Sequence, residues 1–226
     1  KEKDLFLSFA KTLQLDNDWF TGNIPTWLMA FRKQLYNKKT ELNCMEIGSW
    51  QGQSAVFVLN YFENANLTCV DTWMGADEHK FEDASSLEVL SRIEKDFDAN
   101  VFDYKERLTK YKGTSYQFFN DCFEREKFDL IYIDGSHHSD DVIVDTIKSF
   151  EMLKVNGLMI LDDYFWKYYS ETKDNPSGAI NAFIRLKRNQ LEVVCFDYQL
   201  VVRKIKNSVR RSVFPSFVTG AISMVL

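Results

Sequence analysis

The order in which apolar runs and helical stretches alternate along the chain constrains its fold more than any other feature. Five apolar runs predict strands at residues 42–47, 67–71, 107–112, 128–133 and 157–161. Each is followed by a stretch that predicts a helix, near 52–63, 85–99, 115–123, 139–153 and 177–188. Because parallel strands need crossover helices between them, this order predicts an α/β fold with a mainly parallel sheet and helices on both faces. Two further runs, 191–197 and 199–204, lie too close together for a crossover and predict a closing antiparallel hairpin.

The regions on either side of this seven-stranded core are expected to form a leader and a tail. Residues 1–40 contain two helical stretches, 3–15 and 25–37, and form a predicted helical leader. The core domain is predicted to cover residues 41–205. Residues 206–226 carry basic side chains followed by an apolar stretch, so we expect a tail that either docks on the domain or links it to another one. Because the sequence starts with Lys rather than Met, an additional domain in a longer chain is one expectation.

Charge and composition exclude several classes of partner. The net charge is −5, which argues against a nucleic-acid partner because phosphate binding usually needs a basic surface. No apolar run approaches the roughly 20 residues of a membrane helix, and the first residues lack a signal-peptide core. None of the four cysteines shows a C-x-x-C spacing, so we expect no zinc site but buried, reduced thiols in a cytoplasmic protein.

Acidic residues stand at the ends of four predicted strands. Glu46 and Asp71 close the first two strands, Asp134 closes the fourth, and the pair 162–163 closes the fifth. In an open α/β sheet, ligands bind beyond the carboxyl ends of the strands. The four acidic strand ends therefore predict one shared site.

The turn after the first strand carries Gly48 and Gly52 at a G-x-x-x-G spacing. The dinucleotide fingerprint has a further glycine that serves a pyrophosphate, and that glycine is absent here. This favours a cofactor without a pyrophosphate. A nicotinamide-dependent oxidoreductase stays the alternative of another enzyme class.

Together these segments resemble class I S-adenosylmethionine-dependent methyltransferases. The likeness is greatest to the metal-dependent O-methyltransferases that act on sugars and catechols, the methyltransferase family 24 type, because of the stretches 133–138 (Ile-Asp-Gly-Ser-His-His) and 161–164 (Leu-Asp-Asp-Tyr). It covers about residues 40–205. The resemblance implies a Rossmann-like fold, S-adenosyl-L-methionine as cofactor, and a Mg²⁺ ion or another hard divalent cation. It also implies that the leader covers the cofactor or lines the substrate mouth, although the leader could equally pack on the sheet alone.

The cofactor is expected along the ends of the first three strands. Glu46 favours the positive charge of the cofactor, and the amides of the turn after Gly48 meet its carboxylate at a helix start. Asp71 accepts from the ribose hydroxyls, and the turn after the third strand meets the adenine. The predicted cofactor-binding residues are Glu46, Gly48, Ser49, Gly52, Ser54, Asp71, Thr72, Trp73, Gly113, Thr114 and Ser115.

A metal is expected at the next two strand ends. Asp134, Asp162 and Asp163 offer only hard oxygen ligands, which suit Mg²⁺, Mn²⁺ or Ca²⁺ rather than zinc. Three carboxylates packed together without a cation would repel one another and raise their pKa values. The alternative is that one member of the pair 162–163 only caps a loop.

Two histidines follow the first of these acids. In the resembled family the residue three positions after the acid is commonly His, which corresponds to His137, and a neutral imidazole is a natural proton acceptor. His137 is therefore the predicted base, with Asp134 as the alternative and a structural role equally open; His138 is expected at the rim. The family commonly has Tyr where this chain has Ser139, which leaves the substrate pocket open.

The predicted activity is metal-assisted methyl transfer to a hydroxyl of a sugar or other small diol. A metal-independent N- or protein methyltransferase and a cofactor-binding module without activity stay as alternatives. The expected partner is a small-molecule or glycan acceptor; a homo-oligomer stays open.

Overall fold

A computed structural model describes residues 1–75, 84–167, 169–171 and 174–207. The strands are β1 (Leu42–Ile47), β2 (Ala65–Asp71), β3 (Leu108–Lys112), β4 (Phe128–Ile133), β5 (Leu153–Leu161), β6 (Leu191–Phe196) and β7 (Leu200–Lys204). The described α-helices are α1 (Glu2–Ala10), α2 (Ile24–Lys33), α3 (Gln53–Tyr61), α4 (Ala84–Leu90), α5 (Ile93–Asn100), α6 (Ser115–Cys122), α7 (Ser139–Met152) and α8 (Pro176–Lys187). Two short 3₁₀ helices cover Thr21–Asn23 and Phe102–Arg107. The predicted tail lies outside the described residues from 208 onward.

The seven strands form one sheet in the order β3-β2-β1-β4-β5-β7-β6. The first five strands are parallel, while β7 pairs antiparallel with both β5 and β6. This arrangement confirms the predicted parallel sheet with a closing antiparallel hairpin. Since the strand order reverses between β1 and β4, the crevice for a ligand lies above those two strands.

Helices cover both faces of the sheet because the strand side chains alternate between two apolar cores. Cys44 and Leu130 face a core that is rich in aromatic side chains from α1, α2 and α3, among them Phe6, Trp27, Phe31 and Phe57. Met45 and Ile131, one residue further along, face the second core with Phe118, Phe150 and Phe183. Strands buried on both faces read as continuous apolar runs, which is why they were detectable in the sequence.

Several element boundaries differ from the prediction. The helix predicted at 85–99 is two helices, α4 and α5, with the break at Ser91, whose hydroxyl bonds the Glu88 carbonyl at 2.6 Å and competes with the helix backbone. Strand β5 begins at Leu153 instead of 157, directly after α7. Lys204, which is buried, donates from its ammonium to the carbonyls of Phe150 (3.1 Å) and Leu153 (2.6 Å), and this caps the end of α7.

Residues of the predicted leader pack against the core. After α1, the Gln14 amide donates to the Asn100 side chain at 2.8 Å, and Asp16 bonds both Gln51 and Arg92. These contacts hold residues 14–16 over the turn that follows β1. The division into leader, domain and tail stays a prediction. Among the described residues, no helix combines the length and apolarity needed to cross a membrane.

Candidate active site

The backbone turns after β1 and β4 touch at the centre of the sheet edge. Gly48 has a φ of +83°, and a Cβ there would lie 1.8 Å from the Asp134 carbonyl oxygen. The Asp134 amide also donates to the Ile47 carbonyl at 2.8 Å. Only glycine fits this position, because any side chain would force the two turns apart. The turn predicted to hold the cofactor is therefore in contact with the turn that carries the first candidate metal ligand.

Glu46 lies beneath the first turn and is almost completely buried. Its carboxylate accepts from the hydroxyls of Ser49 and Ser54, and the Cys69 thiol lies 3.6 Å away. Burial raises the pKa of Glu46 to about 7, although the hydrogen bonds from the two serines oppose that rise. In the described structure, Ser49 and Ser54 therefore hold the Glu46 carboxylate in place.

The raised pKa of Glu46 should make the unfolding free energy depend on pH. Because the folded pKa of Glu46 is raised, its stabilising contribution is present at low pH and is lost as pH rises through about 7. Between pH about 5.5 and about 8.5, the unfolding free energy of the unmutated protein should fall by roughly 2 kcal/mol relative to Glu46→Gln. Urea unfolding of both proteins at the two pH values measures this. A stability difference that stays constant with pH would contradict the assignment.

Asp71 anchors the same turn from the neighbouring strand. One carboxylate oxygen accepts from the amides of Ser49 (2.7 Å) and Trp50 (2.9 Å), and the other accepts from the Trp73 amide at 2.7 Å. Two of the amides expected to meet a cofactor carboxylate are therefore bonded to Asp71. The carboxylate still lines the cleft above the strand ends, where lone pairs remain for a ligand.

One cleft of about 920 Å³ runs along the carboxyl ends of β1 to β5. Of the residues predicted to bind the cofactor, the cleft is lined by Gly48, Asp71, Thr72, Gly113, Thr114 and Ser115. The remaining predicted residues support the turn from below or from the side; they are Glu46, Ser49, Gly52, Ser54 and Trp73. Gly52, with a φ of +83°, precedes the first residue of α3, and Thr114 begins α6 with a capping box to Gln117.

The acids after β4 and β5 are joined by a buried tyrosine. The Tyr132 hydroxyl lies 2.8 Å from Asp134 Oδ2 and also bonds Asp162 Oδ2. Gln199 donates to Asp162 at 2.6 Å and accepts from the Trp27 indole at 2.6 Å. Burial and the charge of Asp163 raise the pKa of Asp162 to about 6, while burial and both neighbouring aspartates raise that of Asp134 well above its ordinary value.

The structure brings Asp134, His137 and Asp163 together around one point. One ligand atom from each lies within 4.8 Å of the others, and His137 Nε2 is 2.8 Å from Asp163 Oδ2. Asp163 has a φ of +56°, an uncommon backbone conformation that Asp tolerates better than most residues. The carboxylate of Asp162 instead contacts Tyr132, Gln199 and the Asp163 amide (2.7 Å). Its assignment as a metal ligand stays a prediction.

Aromatic side chains form the rim on this side of the cleft. The rings of Trp166 and His137 lie 4.3 Å apart, and the Tyr198 hydroxyl donates to Asp163 at 3.1 Å. His138 stacks on Tyr169 at 4.6 Å with its Nε2 3.1 Å from the hydroxyl. Its position on the cleft wall agrees with the expected rim location. The ring of Trp19, from the leader, has its centroid 5.5 Å from that of Trp50, and Trp19 lines the same cleft.

Sequence reasoning missed several of these residues. Tyr132 had a usable signal, because it lies two positions before Asp134 on a strand and therefore on the same face. Gln199 had none, since only the pairing of β5 with β7 brings it to Asp162. Trp19 comes from a segment without a periodic pattern, and its position depends on how the leader packs.

A sheet of this order, with a cleft across the ends of its parallel strands, defines the Rossmann-like methyltransferase fold. A family model described as a methyltransferase domain, Methyltransf_24, matches residues 45–164, more than half of the chain. The chain belongs to this methyltransferase family. No curated protein matches it by sequence.

Solved structures share the fold at low sequence identity. A Corynebacterium glutamicum protein is 16% identical with a TM-score of 0.57, and the match covers 92% of this chain and 91% of that one. A proposed O-methyltransferase from Klebsiella pneumoniae is 15% identical with a TM-score of 0.58, covering 91% and 90%. MycE from the mycinamycin biosynthetic pathway, in complex with Mg, SAH and mycinamycin VI, is 16% identical with a TM-score of 0.62. That match covers 91% of this chain but 54% of MycE.

Proposed function

We propose that the protein transfers a methyl group from S-adenosyl-L-methionine to a hydroxyl of a sugar or other small diol, assisted by a divalent cation. The observation that carries this proposal is that one cleft contains both the turns predicted to bind the cofactor and the cluster of Asp134, His137 and Asp163. Its volume of about 920 Å³ lies near the upper end of the range for small-molecule sites, which suits a nucleoside cofactor together with an acceptor. With the cofactor bound as predicted, such an arrangement would bring a methyl donor beside a group that can accept a proton.

The acidic cluster fits a hard cation by the chemistry of its donors. Asp134 and Asp163 would hold the ion, with Asp162 or His137 beside them, because carboxylate oxygens are preferred by Mg²⁺. Burial and the charges of Asp162 and Asp163 raise the pKa of Asp134, and a bound positive charge would relieve the repulsion among the three acids. When bound, such an ion would orient two neighbouring acceptor oxygens and stabilise negative charge on one of them. MycE, whose structure contains Mg and SAH, supports this reading.

The protein's own residues supply orientation and proton transfer. His137 would accept the proton of the acceptor hydroxyl at Nδ1, the ring nitrogen that does not face Asp163. The carboxylate of Asp163, 2.8 Å from Nε2, would orient the ring and stabilise the resulting imidazolium. Tyr198 fixes Asp163 from the other side, so that the pair keeps its geometry. S-adenosyl-L-methionine provides the methyl group on an electrophilic sulfonium. The cleft wall therefore needs mainly to align the acceptor oxygen with that group.

The charge of the cleft limits the acceptor. Seven carboxylates line it, and among its described lining residues there is no Lys or Arg. An acceptor that carries phosphates would be repelled, whereas a neutral or cationic one would not. The aromatic rim of Trp19, Trp166 and Tyr198 offers flat apolar faces that suit a sugar ring or a phenol. These features support a neutral diol as the acceptor.

Calorimetry with S-adenosylhomocysteine tests the cofactor assignment. We expect micromolar binding to the unmutated protein, and a loss of roughly 1–3 kcal/mol in Asp71→Ala. The loss has two causes, because Asp71 would accept from the ribose and also holds the amides of Ser49 and Trp50. Asp103→Ala removes an exposed carboxylate away from the cleft and serves as the matched control. Failure of the unmutated protein to bind S-adenosylhomocysteine would remove the basis of the proposal.

A further inference from the structure

Three buried side chains that the proposed reaction does not use connect the acids after β4 and β5 with the aromatic core. Tyr132 on β4 is 3% exposed, Gln199 directly before β7 is 1% exposed, and Trp27 on α2 is fully buried. The ring of Trp27 packs edge-on against that of Tyr132, with 4.8 Å between the two centroids. This packing fixes the ring of Tyr132, and with it the position of the hydroxyl that faces the acids.

The direction of the hydrogen bonds in this group follows from Trp27. An indole nitrogen can only donate, so the contact of 2.6 Å between Trp27 and Gln199 ends on the amide oxygen of Gln199. The amide nitrogen of Gln199 then faces the other way, 2.6 Å from Asp162 Oδ2 and 3.4 Å from the Tyr132 hydroxyl oxygen. With a donor on that side of the hydroxyl, its own proton is left to point at a carboxylate.

The Tyr132 hydroxyl is the contact that the two acids share. It lies 2.8 Å from Asp134 Oδ2 and also bonds Asp162 Oδ2, so one atom holds an oxygen of each carboxylate. Both acids line the cleft, whereas Tyr132 is buried behind them. Two carboxylates repel each other, so without a shared partner they would turn apart, and a cation would have to bring them together again.

We propose that Tyr132 is a positioning residue that holds the carboxylates of Asp134 and Asp162 side by side for a divalent cation. Trp27 and Gln199 orient its hydroxyl from the core. This inference rests on the proposed function, because it needs a cation to bind among these acids. Side chains behind metal ligands orient those ligands, and their substitution typically costs about 10- to 100-fold in metal affinity. The predicted leader then contributes to the site through α2, which carries Trp27.

Calorimetric titration of Mn²⁺ into Tyr132→Phe and Gln199→Met tests this role, because each variant nearly keeps the side-chain size and removes the polar group that contacts the acids. Tyr132→Phe should bind Mn²⁺ roughly 10- to 100-fold more weakly than the unmutated protein. Gln199→Met should lose about tenfold, the lower end of that range, because Tyr132 still holds an oxygen of each acid. The matched control is Tyr36→Phe, which removes a partly buried hydroxyl that donates to the Asp129 carbonyl at 3.2 Å near the opposite end of β4, and it should bind Mn²⁺ normally.

Thermal unfolding of the metal-free proteins separates positioning from a purely structural role. Variants that melt earlier but bind Mn²⁺ as the unmutated protein does would overturn the inference, and so would tighter Mn²⁺ binding by Tyr132→Phe. An equal loss of Mn²⁺ affinity in Tyr36→Phe would also overturn it, since the loss would then reflect a general loosening. If Tyr132→Phe failed to fold, Gln199→Met against Tyr36→Phe would decide by the same criteria. These results would leave the proposed function standing, whereas no Mn²⁺ binding by the unmutated protein would end both the inference and the metal-assisted part of that function.

Discussion

Asp134→Asn and Asp163→Asn are each expected to lower the rate of methyl transfer on the order of 10³-fold, the effect of losing several kcal/mol of charge stabilisation. Both side chains contribute an oxygen to the cluster with His137, and each substitution removes a negative charge that a divalent cation would neutralise. Asparagine preserves the shape of both residues, and it tolerates the positive φ of Asp163. Steady-state rates with a panel of sugars and catechols would measure the loss.

Metal affinity provides a readout that does not depend on turnover. Mn²⁺ binding, followed by calorimetry or electron paramagnetic resonance, should weaken strongly in both variants. Binding of S-adenosylhomocysteine should change little, because these carboxylates are not among the residues predicted to bind the cofactor. Asp197→Asn, an exposed acid in the hairpin between β6 and β7, is the matched control and should behave like the unmutated protein. A chelator-treated enzyme that works at its full rate would refute the requirement for a metal.

Asp162→Asn separates two roles for the third acid. If Asp162 is a ligand, its removal should weaken Mn²⁺ binding as much as the loss of Asp134 does. Its contacts with Tyr132 and Gln199 suggest another effect, since these residues connect it to Trp27 in the aromatic core. A variant with normal metal affinity but a lower unfolding free energy would assign Asp162 to support of the site.

The sequence was sufficient to predict the sheet because its local signals and its tertiary structure agree. The strands are apolar on both faces, and the short link between residues 197 and 199 excludes a crossover, so the antiparallel end followed directly. The acids also lie at the strand ends where their chain positions predicted them, because the end of a parallel strand fixes where its next residue lies; their roles stay predictions. Contacts between segments that are distant in the chain could not be predicted from the sequence. The bond between Gln199 and Asp162 depends on the register of β5 with β7, and the helix break at Ser91 coincides with a side-chain hydrogen bond to the Glu88 carbonyl.

The candidate site was predictable in its residue types more than in its contacts. Glu46 and Asp71 were recognised as acids at strand ends. Both, however, accept hydrogen bonds from residues of the turn after β1. These hydrogen bonds cannot be predicted from the sequence, because they depend on side-chain rotamers and on the direction of the backbone amides. Side-chain rotamers also decide that His137 lies in the cluster with Asp134 and Asp163, whereas the carboxylate of Asp162 contacts Tyr132.

His137→Ala is expected to reduce turnover by about 10²- to 10⁴-fold while S-adenosylhomocysteine binding stays intact. The reason is the loss of the imidazole that would accept the hydroxyl proton, which Asp163 holds in place at 2.8 Å. The measurement is kcat at saturating acceptor, together with its pH profile. His138→Ala is the matched control, because the neighbouring imidazole points to Tyr169 and its loss should cost much less.

Two results distinguish a base from a metal ligand at His137. If His137 is the base, Mn²⁺ affinity should be unchanged in the Ala variant, and the rate should recover partly as pH rises and hydroxide or the acceptor's own ionisation replaces the imidazole. If His137 binds the cation with Asp134 and Asp163, metal affinity should fall in parallel with turnover. A loss below about tenfold with normal metal affinity would assign the role of the base to a carboxylate such as Asp134. The requirement for the metal would survive that result, because it rests on the two carboxylates and not on the histidine.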